Sequence, residues 1–121
     1  MPAPPSIDPP TLDPRALAAI AALPSTGSGD FVPRLLDLYR AQAAERLSVL
    51  RSASAAGDWA TVQRVAHAWK ASAGQIGAAR LAGLLVRLND QCRDGVPVDG
   101  LSLVQDVDVE HARVLGALEA R

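Results

Sequence analysis

Leu36, Tyr39, Ala43, Leu47 and Leu50 recur at steps of three and four residues, the spacing that puts side chains on one face of an α-helix. Two further stripes obey the same rule. Trp59, Val62, Val65, Ala66, Trp69 and Ala73 form one, and Leu81, Leu84, Leu85, Leu88 and Cys92 the other. The core these stripes can build is unusual in being almost free of rings, with two tryptophans, one tyrosine and one phenylalanine in 121 residues. Ala, Leu and Val must fill it at close helix spacing, and this favours a helical bundle. A chain of this length buries one such core.

The punctuation places the elements. Met1 to Pro10 holds five prolines and little to bury, so residues 1–10 are expected to be an extended, mobile leader or linker. A first helix should open at Asp13 as N-cap with Pro14 at the first position, Leu12 and Leu17 forming a staple, and end near Leu23 before Pro24. Ser25 to Gly29 is turn-rich, and Asp30 should cap the long second helix, which Gly57 stops. Asp58 caps the third helix; around Gly74 to Gly77 it should end or bend, and a fourth begins at about Ala78. Asp94 to Gly100 is a loop, and a last helix spans about Leu101 to Ala120, although Val104 to Val109 alternates as a strand would. Residues 11–121 are thus predicted to be all-α, an antiparallel four-helix bundle with the additional N-terminal helix packed across one end.

Composition excludes several functions. Net charge is −1 with both signs interspersed, which offers no footprint for nucleic acid or an anionic membrane. No apolar run reaches the roughly 20 residues of a membrane span, and no signal pattern opens the chain, so a cytoplasmic location is expected. Cys92 is the only cysteine, which rules out an internal disulfide or a thiolate zinc site, and it reads as a small core residue. The carboxylates form no cluster suited to Mg²⁺ or to paired acid–base catalysis. A metal-dependent enzyme fails on ligand count.

The third helix carries the chemistry. With Val62, Val65, Ala66 and Trp69 pointing inward, His67 points about 150° away from the buried direction, in company with Gln63, Arg64, Lys70, Ala71 and Gly74. An outward imidazole offers a nitrogen lone pair as nucleophile, and an ammonium one turn on could offset the charge of a phosphoryl group. Ala71 and Gly74 leave a shallow surface against which another protein could press its active site. The spacing is equally that of an ordinary solvated helix face. His111 lies on the apolar stripe of the last helix between Val107 and Val114, where a partly buried packing histidine is expected.

The string from His67 to Leu81 resembles the signature of histidine-containing phosphotransfer (HPt) domains, with His67, Lys70, Ser72, Ala73, Gly77, Ala78 and Leu81 in register. The Leu12-Asp13 opening, the Asp30-Phe31 helix start and the Ala56-Gly57-Asp58-Trp59 corner look like the family too, so that about 110 residues are covered. Two positions depart from it. Ala71 stands where the family has glycine, and Trp69, which falls on the buried stripe as a core anchor, where it has leucine.

The resemblance implies a phosphorelay intermediate without turnover of its own. His67 would accept a phosphoryl group from the phosphoaspartate of a response-regulator receiver domain, possibly one in a hybrid histidine kinase, and pass it to another receiver. Lys70 would stabilise the charge. Asn89, 22 residues beyond His67 on the facing helix, stands where relatives often have Gln or Glu bonded to the imidazole. It either orients the ring or is an exposed polar residue near a helix end. The receiver would meet Phe31, Leu35, Gln63, Arg64, Ala71 and Gly74. No cofactor is implied for this chain, the catalytic Mg²⁺ being expected on the receiver, and no nucleotide loop for ATP is present. Monomer is the family default. The rival is a helical scaffold module that keeps the fold but has lost phosphotransfer.

Overall fold

The structure, a computed structural model, describes residues 9–23 and 31–121. Those residues form five helices and no strand: α1 Pro14–Ala21, α2 Phe31–Ala55, α3 Trp59–Gln75, α4 Ala79–Arg93 and α5 Gly100–Glu119. The expected leader, but for Pro9 and Pro10, the Ser25 to Gly29 turn and the Asp30 cap lie outside the described residues.

Local chemistry sets the ends. The Asp13 side chain accepts from the Arg15 amide at 3.0 Å ahead of Pro14, and Leu17 is buried with Leu12 packed against the core. Helix α1 stops at Ala21, two residues short of the expected end, because the Ala22 and Leu23 amides turn back to the carbonyls of Ala18 and Ile20. Gly57, at φ +72°, ends α2. Asp58 then caps α3, accepting from the Thr61 amide at 3.2 Å and its hydroxyl at 2.6 Å. The alternation from Val104 to Val109 is helical here: Val104 and Val107 are three apart and buried, while Val109 faces outward.

Helix α3 packs most extensively on α4, α4 on α5, α5 on α2 and α2 on α3, so that the contacts close into a ring around the core. Leu50, Val62, Trp69, Ile76, Leu81, Leu85, Leu88, Val107 and Val114 are fully enclosed. Trp69 is the largest of them, its indole N–H donating to the Tyr39 hydroxyl at 3.3 Å and its ring meeting His111 edge to face at 5.5 Å. The core anchor expected at position 69 is therefore in place.

The first helix touches α2 and sits over the α3–α4 turn. The Asp13 amide donates to the Gly77 carbonyl at 2.8 Å, and Arg80 donates from its amide to the Pro10 carbonyl and from Nε to the Pro9 carbonyl. Gly77 is required there. It has φ +87°, and a Cβ would lie 2.5 Å from the Asp13 carbonyl oxygen.

Candidate functional site

Helix α3 has apolar residues at 62, 66, 69 and 73 turned into the core, which forces the residues between them outward. His67 is exposed, as are Arg64, Ala71 and Gly74, while Gln63 and Lys70 are half-buried. These six form one outer stripe, spaced by three and four residues along 17 residues of unbroken helix.

On the α4 side of the stripe His67 opens on a shallow cavity of about 320 Å³, lined by Ala60, Gln63, Arg64, His67 and Asn89. Asn89 is 4 % exposed, which excludes the solvent-facing polar residue that its sequence position also allowed. Its amide nitrogen is 3.4 Å from the Asp90 carboxylate, and its Oδ1 is buried with no partner among the described residues. An unpaired acceptor out of water is costly, so this oxygen is poised for a donor. It does not bond to His67 in the structure, although the two share the cavity.

On the α2 side a smaller groove of about 70 Å³ is lined by Leu35, Leu38, Tyr39, Gln42, Ser72, Gln75 and Ile76. Leu38 is 55 % exposed and Phe31 44 %, two turns of α2 apart, and Leu35 between them is half-buried. Sequence reasoning singled out Phe31 and Leu35 but missed Leu38 and Gln42. The signal was the step of seven from Phe31 to Leu38, which lies off the core stripe. Arg46 donates to the Ser72 hydroxyl at 3.0 Å, and that hydroxyl donates to the Trp69 carbonyl, tying α2 to α3 beneath the stripe.

The second histidine is placed quite differently. His111 is 5 % exposed in an edge-to-face contact with Trp69, its Nδ1 without a partner among the described residues, and burial holds its pKa below the usual imidazole value. A buried ring cannot meet another protein's active site. Cys92 is half-buried against the core, and burial raises its thiol pKa. Among the described residues no group of three or more His, Cys, Asp or Glu side chains could hold a metal ion, and no helix is long and apolar enough to cross a membrane.

Comparison with known proteins decides the family. The Hpt domain family profile matches residues 34–120. The chain is an HPt domain. The crystal structure of histidine-containing phosphotransfer protein B (HptB) from Pseudomonas aeruginosa PAO1 superposes on it with a TM-score of 0.78 at 32 % identity, over 87 % of this chain and 88 % of that one. No curated protein matches. HPt proteins serve as phosphocarriers, rather than kinases, in histidine phosphotransfer. The profile begins within α2, so the match excludes α1, whereas it includes α3 and the whole outer stripe.

Proposed function

We propose that His67 is the phosphoryl carrier of this HPt domain, taking the group from the phosphoaspartate of a receiver domain and yielding it to another receiver aspartate. The observation that carries this is the contrast between the two histidines. The chain has only His67 and His111, and only His67 is exposed. In the transfer the Nε2 lone pair of a neutral imidazole forms the P–N bond while the P–O bond of the acyl phosphate breaks. The aspartate leaves as carboxylate.

Lys70, half-buried one turn beyond His67 and without an ion-pair partner among the described residues, offsets the incoming charge. Asn89 orients the ring by accepting from Nδ1–H, which leaves Nε2 free to attack. The support for this is its buried, unpaired Oδ1 in the same cavity. Phe31, Leu35, Gln63, Arg64, Ala71 and Gly74 meet the receiver, which supplies the Mg²⁺ and most of the electrostatics. Residues 11–121 act as one unit, an antiparallel four-helix bundle with α1 across one end, supported by the ring of contacts and the Asp13–Gly77 bond, and work as a monomer in keeping with the family default. A cytoplasmic setting and a hybrid kinase as source of the receiver fit this role.

The test is transfer from a phosphorylated cognate receiver. Wild type should gain acid-labile phosphate and His67→Gln none. Equal labelling of the two proteins would refute the assignment, and receiver binding without any transfer would point to a scaffold module.

A further inference from the structure

Two cations stand one turn from His67, and they are not placed alike. Lys70, toward the C-terminal end of α3, does not line the cavity on which His67 opens. Arg64, toward the N-terminal end, does, together with Asn89. Arg64 is exposed and has no ion pair or hydrogen bond among the described residues. Asp58 feels the charge of Arg64 electrostatically, but its carboxylate is already held by the Thr61 amide and hydroxyl.

We infer that Arg64 is a phosphoryl-binding residue, which closes on the phosphate carried by His67 from the cavity side while Lys70 faces it from the other. This rests on His67 being the carrier. The guanidinium suits the task, because its planar fork can donate to two phosphoryl oxygens at once, whereas an ammonium acts as a point charge. The volume of about 320 Å³ beside His67 is ample for a phosphoryl group. Gln63 and Asn89, also on its wall, offer amide groups but no charge. Arg64 is therefore the cavity's one cation among the described residues. Its role reaches beyond contact with a receiver, since it acts on the phosphate whether or not a partner is present.

A small donor separates the two roles. With phosphoramidate the Nε2 lone pair forms the new P–N bond, the donor's own P–N bond breaks and ammonia leaves, with no protein partner to dock. Arg64→Gln should label about two- to five-fold more slowly than wild type, the range for an exposed charge interaction, and Arg64→Lys should recover part of the rate. In ³¹P NMR the phosphohistidine of Arg64→Gln should lose its second phosphoryl proton at higher pH than wild type, because a neighbouring cation favours the dianion. Wild-type rate and titration in Arg64→Gln would overturn the inference, and slowing confined to transfer from a receiver would reduce Arg64 to a docking residue. Failure of wild type to label at His67 with either donor would remove the carrier assignment itself. Circular dichroism of each variant checks that α3 is intact.

Discussion

At the scale of single residues, the outer stripe of α3 separates what the fold needs from what a partner needs. A Cβ built on Gly74 meets nothing within 4 Å, so Gly74→Ala should fold without repacking. By replacing a glycine inside a helix it should add roughly 0.5–1 kcal/mol of stability, readable as a rise in the denaturation midpoint. The same methyl protrudes where a receiver is proposed to dock and should weaken receiver binding in a titration. Stability and binding moving in the same direction would exclude Gly74 from the interface. Much of this stripe was legible in the sequence, since Val62, Ala66, Trp69 and Ala73 fix the inward direction and so fix where His67 points. The groove between α2 and α3 was less so. Leu38 looks like any surface leucine until the packing of α2 on α3 brings it beside Gln75 and Ile76. Nor could spacing along α3 tell that Asn89, on another helix, is buried beside His67.

Between elements, two of the contacts that α3 and its ends make carry measurable demands. The first is the lead-in to α1 on the α3–α4 turn. Gly77→Ala should cost about 1–3 kcal/mol from its left-handed backbone, and its methyl would also strike the Asp13 carbonyl. Faster amide exchange over α1 together with a lower urea midpoint would register this; an unchanged α1 would mean that the turn can shift to accommodate a methyl. The Asp13 cap and its proline were readable because capping is local, whereas the partner of that cap, Gly77, lies 64 residues away (77 − 13) and shows in the sequence only as a turn glycine.

The second contact is His111 of α5 against Trp69 of α3. Burial lowers the folded-state pKa of His111, opposed by Asp108, while Arg51, paired with Asp108 at 2.6 Å, lowers it further. The unfolded chain therefore takes up a proton near the usual imidazole value of 6.5, and the folded chain only at lower pH. This component of stability is complete above that pH and is lost as the pH falls below it, by at most about 1.4 kcal/mol per unit. Wild type should lose denaturation free energy between roughly pH 7.5 and 5.5, and His111→Gln should show a flatter profile over that window. Parallel profiles would mean that the ring is protonated where it stands. The carboxylates of Asp13 and Asp58, lowered by their caps, titrate well below this range.

Taken as a whole molecule, the chain keeps its chemistry on the outside of a core that does not depend on it. His67 contacts no buried partner by hydrogen bond or ion pair among the described residues, so His67→Gln should unfold within about 0.5 kcal/mol of wild type while losing all phosphate uptake. A large shift in the denaturation curve would show that the imidazole also helps to hold the fold. The all-helical architecture could be foreseen because apolar spacing of three and four dominates each segment, and a core with so few rings leaves little else to build. What spacing could not supply is which helices meet, seen in the shared buried core and in long-range pairs such as Arg51 with Asp108 and Arg80 with Glu110.

The open space above Gly74 has a consequence for how such a carrier changes over time. No packing inside the domain limits the size of a side chain at that point, so on the proposed docking the limit comes from the visiting surface. A new partner could be admitted, or an old one refused, by exchanging a few atoms there without rebuilding the interior.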